Sequence, residues 1–218
     1  MKIVIVDYGM GNVQSIFNAF HQFNNIEVSL SDKRDDILSA DGIVLPGVGA
    51  FKKAMEELTE RNLIEILREY SNLKKPFLGI CLGMQLLFDS SEEFGYAQGL
   101  GLLEGKVERF PSDINDKLPH VSWNGVYARN IDWNDSILEN ISNGDDFYFV
   151  HSYVCVPKDK SIVLSTTEYG GIEFCSSIKH GNIYACQFHP EKSAASGIKV
   201  IENFINTTRI INEAKKTN

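Results

Sequence analysis

The sequence predicts an α/β protein: a doubly wound, mostly parallel sheet flanked by helices, with antiparallel strands added in the C-terminal half. Three observations carry this. Strand-like and helix-like periodicities alternate through the first ~90 residues, the pattern of βαβ crossovers. The run 76–80 (Pro-Phe-Leu-Gly-Ile) is apolar on both faces, as a central parallel strand must be. From Gly105 onward, strand-like runs are separated by short polar or glycine turns, which suits antiparallel neighbours.

The elements follow in order. Residues 2–6 are a strand that stops at the turn 7–12. Val13, Ile16, Phe17, Phe20 and Phe23 then recur at helical spacing. Two short strands come next, at 27–30 and 42–45, the second running into Pro46-Gly47-Val48-Gly49. A helical pattern carries Phe51, Ala54, Met55 and Leu58, then Leu63, Ile66, Leu67 and Tyr70. After the strand at 76–80, a helix is expected to begin near Met84 and to carry Leu86, Leu87 and Phe88. Later strands are expected at 105–110, 147–150, 161–166, 172–178 and 183–188. The last helix places Ile198, Ile201, Phe204 and Ile205 on one face, and the tail 213–218 is expected to fray. No repeat or linker interrupts the chain, so residues 1–218 read as one domain with a substantial core.

Composition removes several function classes. Twenty-one basic against 29 acidic residues give a net charge of −8, with no Lys/Arg cluster, so neither nucleic acid nor an anionic membrane is an expected partner. The apolar N-terminal run ends at Asp7, too short for a leader, and no run is long enough to span a bilayer. Cys81, Cys155, Cys175 and Cys186 form no C-x-x-C pair and no zinc spacing. A cytoplasmic chain with free thiols and no metal is the expectation, and the Asn-x-Ser/Thr matches at Asn134, Asn140 and Asn206 are read as coincidental.

The strongest local signal is Gly79-Ile80-Cys81-Leu82-Gly83. A small-x-nucleophile-x-small pentad between strand and helix is an elbow, in which small flanking residues let the central side chain stand out of a tight turn. The following helix N-terminus favours a thiolate, and the Leu82 N–H faces the reacting carbon as an oxyanion donor. Taken alone, the pentad also fits a buried structural cysteine between two packing glycines. A nucleophile needs a base and a group to orient it. His189 ends an apolar strand, and Glu191, two residues on, points the same way in extended chain. A strand-end histidine beside an incidental acid fits the same spacing. His21, His120, His151 and His180 lack an acid two residues on. The loop containing Val48 and Gly49 follows a sheet strand and brings backbone N–H groups close to a ligand. Gly9-Met10-Gly11 is no dinucleotide fingerprint, because Gln14 stands where the third glycine belongs. No Walker A motif occurs either, so no cofactor is expected.

Together, seven segments resemble the class I (triad) glutamine amidotransferases, in family order across nearly the whole chain. They are Asp7-Tyr-Gly-Met-Gly-Asn12, Leu45-Pro-Gly-Val-Gly-Ala-Phe51, Gly79-Ile-Cys-Leu-Gly-Met-Gln-Leu-Leu87, Gly99-Leu-Gly-Leu102, Pro119-His120 with Trp123-Asn124, Phe149-Val-His-Ser-Tyr153, and Gln187-Phe-His-Pro-Glu-Lys-Ser193. Within the family the similarity is to the branch that serves histidine biosynthesis.

The resemblance implies a glutaminase that makes glutamate and ammonia through a cysteinyl thioester. Cys81 is then the nucleophile, His189 the acid/base and Glu191 its orienting group. Backbone at Val48, Gly49 and Leu82 forms the oxyanion hole, and Gln85, Glu93, Ser152 and Tyr153 hold L-glutamine. It also implies a heterodimer with a (β/α)8-barrel cyclase subunit that receives the ammonia, with Asn12, Trp123 and Asn124 at the interface. One departure stands out: Ser122 occupies a position that is glycine in the family pattern Pro-His-x-Gly-Trp-Asn, where a positive φ would strain serine. With the run Glu173-Phe-Cys-Ser-Ser177, it leaves open a paralogous branch that supplies ammonia to an amino-sugar step of surface-polysaccharide synthesis. A triad hydrolase acting alone, or a non-enzymatic subunit with a retired site, are the other readings. The first predicts activity without a partner, and the second predicts indifference to loss of Cys81.

Overall fold

The computed structural model describes residues 1–129 and 132–216. Its first strand, β1 (Lys2–Val6), lies between β2 (Glu27–Ser31) and β3 (Gly42–Leu45), both parallel to it. Helix α1 (Val13–His21) and helix α2 (Arg34–Ser39) make the two crossovers. The chain therefore steps first to one side of β1 and then to the other, which creates a switch point where loops diverge at the strands' C-terminal ends. After α3 (Phe51–Glu60) and α4 (Leu63–Asn72), strand β4 (Phe77–Ile80) extends the parallel set beside β3. Then come α5 (Leu82–Leu86), β5 (Phe88–Ser91), β6 (Ala97–Gln98) and β7 (Leu103–Arg109).

In the C-terminal half, β8 (His120–Gly125), β9 (Tyr127–Ala128), β10 (Asp146–His151), β11 (Tyr153–Pro157), β12 (Val163–Tyr169), β13 (Ile172–His180) and β14 (Ile183–Cys186) precede the long helix α6 (Ala194–Lys216). The main path of the large sheet runs β2-β1-β3-β4-β14-β13-β11-β7-β5-β6. Strand β14 is the seam: it runs parallel to β4 and antiparallel to β13.

Side-chain alternation along these strands divides the core in two. Val4, Val6, Ile43, Leu45, Phe77 and Ala185 pack on the face of α3, α4 and α5. Ile3, Ile5, Val44, Leu78, Ile80 and Tyr184 pack on the opposite face, against Ile16 and Phe20 of α1 and Val200, Ile201 and Phe204 of α6. Among the described residues, no helix is long and apolar enough to cross a membrane.

Several elements differ from expectation. Helix α2 has no counterpart in the sequence pattern; with six residues and Ile37 as its one buried position, it is too short to show a period. The pattern 51–70 is two helices, broken at Asn62, whose φ of 57° is left-handed. The helix after Cys81 starts at Leu82 rather than Met84 and ends at Leu86, so Phe88 opens β5 instead; a short apolar run reads equally as either. The strand around 147–150 is not part of the large sheet but pairs with β8 in a separate two-stranded one. The tail is helical through Lys216, because Lys215 Nζ donates to the carbonyls of Leu73 (2.8 Å) and Lys74 (3.0 Å). Residues 217 and 218 lie outside the described residues.

Candidate functional site

Four parallel neighbours, β1, β3, β4 and β14, end on the same side of the sheet. The loops that leave them carry Tyr8, Pro46–Gly49, Cys81 and His189, so residues far apart in sequence become adjacent through strand order alone. Cys81 has φ 54° and ψ −111°, a conformation that costs a non-glycine residue about 1–3 kcal/mol. The turn is held by the Cys81 N–H on the Cys186 carbonyl (2.8 Å), and by Met84 and Gln85 N–H groups on the Cys81 carbonyl. Gly83 is required here: a Cβ would lie 1.9 Å from the Leu45 carbonyl oxygen. Cys81 thus stands at a strained strand-to-helix elbow, and Leu82 begins α5, where an amide has no acceptor within its own helix.

His189 lies three residues beyond the end of β14. Its N–H donates to the Tyr148 carbonyl (2.9 Å), and its Nδ1–H donates to Glu191 Oε1 at 2.8 Å. The 3₁₀ turn at Pro190–Lys192 holds that geometry, and the Glu191 side chain is 1% exposed. Among the described residues, His189 Nε2 is buried without a hydrogen-bond partner, as is Glu191 Oε2. Burial opposes a charge on His189. The Cys81 thiolate and the Glu191 carboxylate outweigh it and push its pKa up to about 10.

A pocket of about 140 Å³ is lined by Val48, Gly49, Cys81, Leu82, Gln85, Glu93, Val150, His151, Ser152, Tyr153 and His189. It gathers the expected oxyanion and glutamine-binding residues beside Cys81. Val48 and Gly49 form its exposed rim, with Gly49 at φ 103°. Glu93 commits Oε2 to the Phe51 N–H (2.7 Å), capping α3, and burial raises its pKa. The Gln85 amide donates to the Tyr153 carbonyl (3.2 Å) and to Gln187 Oε1 (3.0 Å). Three further neighbours escape a reading of the sequence: Gln187 touches the Cys81 sulfur, His151 lines the pocket, and Tyr8 donates to the Pro46 carbonyl (2.8 Å). Only the strand-end positions of Tyr8 and Gln187 hint at them.

The residues expected at an interface lie apart from this lining. Asn12, half-buried, precedes α1 on a turn packed against the Pro46–Gly47 loop. Trp123 is 49% exposed on β8. Asn124 is tied inward, bonded to His120 Nε2 (2.8 Å) and to the Ser122 hydroxyl. Ser122 lies in regular pairing opposite Phe149 without positive φ, so the strain anticipated there does not arise. His120 Nδ1 lies 3.1 Å from His151 Nε2, and His151 Nδ1–H donates to the Tyr153 carbonyl (2.9 Å). Burial lowers His151 to about 3, and the neighbouring His120 adds to the shift. All four cysteines are free thiols, and among the described residues no cluster of His, Cys, Asp and Glu is placed to hold a metal.

Residues 4–207 match the model of the family "Glutamine amidotransferase class-I". The chain belongs to that family. The amidotransferase is 47% identical over 204 residues to a protein of Aquifex aeolicus named imidazole glycerol phosphate synthase subunit HisH, covering 94% of this chain and 96% of that one. A Moorella thermoacetica protein of the same name is 46% identical, covering 93% of each chain. A solved structure of PurLQS from Thermotoga maritima superposes with a TM-score of 0.70 at 21% identity, covering 94% of this chain and 97% of that one. That likeness speaks to the α/β fold alone.

Proposed function

We propose that this amidotransferase is the glutaminase subunit of an imidazole glycerol phosphate synthase, paired in the cytoplasm with a (β/α)8-barrel cyclase subunit, HisF. The observation that carries the chemistry is Cys81 on its elbow, facing one pocket with His189, whose far nitrogen is fixed by Glu191. The relatives named HisH support the histidine-pathway assignment, and the amino-sugar branch is not favoured.

The thiolate of Cys81 attacks the carboxamide carbon of L-glutamine, and the oxyanion that forms is met by backbone N–H groups at Leu82 and at Val48–Gly49. The imidazolium of His189 gives its Nε2 proton to the departing nitrogen, which leaves as ammonia and a glutamyl thioester remains on Cys81. Neutral His189 then takes a proton from water. The hydroxide adds to the thioester, and collapse releases glutamate and restores the thiolate–imidazolium pair. Glu191 holds the ring and stabilises its charge throughout. Gln85, Glu93, Ser152 and Tyr153 seat the α-amino and α-carboxylate groups of glutamine. Trp123 and Asn12 face the cyclase, with Asn124 backing that surface through His120 and Ser122, and the cyclase uses the ammonia to close an imidazole ring, giving imidazole glycerol phosphate and AICAR.

Glutamate release from glutamine, measured with the chain alone and then with HisF and its nucleotide substrate, tests this. Stimulation by the loaded cyclase that vanishes in Cys81→Ala is expected. Cys81-dependent hydrolysis indifferent to HisF would remove that partner, and activity surviving in Cys81→Ala would remove the nucleophile.

A further inference from the structure

We propose that Gln187 is a positioning residue for the nucleophile: its amide N–H holds the Cys81 sulfur as the anion, and Gln85 and the Tyr153 carbonyl dictate which way that amide points. The inference rests on the reading of Cys81 as nucleophile. Gln187 is fully buried, and its Nε2 lies 3.7 Å from Cys81 Sγ.

An amide at such a spot could in principle present either end to the sulfur. The network removes the choice. The Tyr153 main-chain oxygen, which already accepts from His151 Nδ1–H, can only accept, so Gln85 must turn its NH₂ toward it. The same Gln85 NH₂ lies 3.0 Å from the Gln187 side chain, which must therefore present its oxygen there. The remaining end of Gln187, an N–H donor, is aimed at Cys81. Reversing either amide would set oxygen against oxygen or N–H against N–H between two buried side chains.

The direction of this chain matters because the sulfur has two kinds of neighbour. As a thiol it can donate to the Val150 carbonyl, 3.9 Å away. As a thiolate it cannot, and that carbonyl then disfavours it. Gln187 offers the opposite preference, since a donor is worth more to an anion than to a neutral thiol.

Among the described titratable groups around the sulfur, the imidazolium of His189, backed by Glu191, carries the compensating charge, while Glu93, which lines the same pocket, has its pKa raised by burial. Tyr8 beyond β1, Cys155 on β11 and Cys186 on β14 are all pushed upward by burial and stay neutral, and His151 on β10 is held neutral by its own burial. Gln187 thus supplies a direct hydrogen-bond contact to the sulfur in addition to the charge of His189.

The test is the pH dependence of Cys81 alkylation by iodoacetamide on the full chain without glutamine, read by peptide mass spectrometry. The variants are Gln187→Met, the near-isosteric Gln187→Glu, and Gln85→Leu, which leaves Gln187 in place but frees it to turn. Thermal unfolding confirms that each is folded. Both Gln187 variants should move the midpoint upward by about one pH unit, which slows alkylation about tenfold below the midpoint. Gln85→Leu should give a smaller shift in the same direction. A packing role would change stability and leave the midpoint where it is. A folded Gln187 variant whose profile superposes on the wild type overturns the proposal, as does a Gln85→Leu shift that exceeds both. Should Gln187→Met fail to fold, the other two still decide. Glutamate release surviving in Cys81→Ala would instead overturn the nucleophile reading, a separate outcome.

Discussion

Two buried histidines meet the same pocket and carry opposite shifts. His189, at the end of β14, is held up to about 10, while His151, on β10, is held down to about 3. For both, burial is the largest influence and pulls toward the neutral ring. What separates them is the sign of their neighbours. His189 lies beside the Cys81 sulfur and the Glu191 carboxylate, both of which favour its charged form. His151 touches a carbonyl and another imidazole, His120, which stacks on Tyr169 at 3.9 Å and on Phe149 at 5.1 Å. Depth of burial therefore does not decide which histidine is charged. One corner of the pocket favours a charged imidazole, and the other is an aromatic scaffold whose His151 favours the neutral ring and bonds the Tyr153 carbonyl.

The most severe way to break this contrast is to delete the anion. Cys81→Ala should lower glutamate release by about 10⁴-fold or more and bring the His189 pKa down, the second effect read by NMR titration. Glu191→Gln keeps the shape of the partner but removes its charge. It should cost about 10²–10⁴-fold in kcat with the fold intact, checked by steady-state kinetics beside circular dichroism.

Stability against pH sharpens the contrast further, because the two histidines act on opposite limbs. His189 has a folded pKa above the ordinary 6.5, so its contribution is complete below 6.5 and is lost as the pH climbs through about 10. His151 has a folded pKa below 6.5, so its contribution is present above 6.5 and is lost as the pH falls toward 3. Urea unfolding across both windows should show a decline at each end. Cys81→Ala should flatten the alkaline limb. His151→Phe should flatten the acid limb, at a cost of about 1–3 kcal/mol for the severed buried hydrogen bonds. Smallest of all, Ser122→Gly should lower stability by about 0.5–1 kcal/mol in thermal unfolding, since an ordinary strand position gains nothing from glycine and the hydroxyl's bond to Asn124 is lost.

The parallel half of the fold is legible in the sequence because its strands are buried on both faces and its longer helices bury one clear stripe. Helix α2 and the α5–β5 boundary are not, because six- and five-residue elements carry no period of their own. The pairing of β8 with β10 is equally hidden, since nothing local states which strand a run will meet. The same distinction governs the site. Cys81 between its glycines, and His189 with Glu191 two residues on, are local patterns. Gln187 is not: it reaches a cysteine 106 positions away, and its meaning lies in a contact that only tertiary structure makes. Glu93 shows the intermediate case, placed at the pocket but with one oxygen engaged in capping α3.

Strand β14 has a consequence for the order in which this protein can become active. It is the last strand made, yet it fits between β4 and β13, and His189 lies three residues beyond its end. A nascent chain therefore displays Cys81 for more than a hundred residues of synthesis before His189 exists. Over the same interval the β4 edge, Phe77 to Ile80, has no neighbour on one side and exposes an apolar template to other chains. Insertion of β14 closes that edge and brings His189 to Cys81 in one event. Chains released short of residue 183 should accordingly be both inert and prone to aggregate.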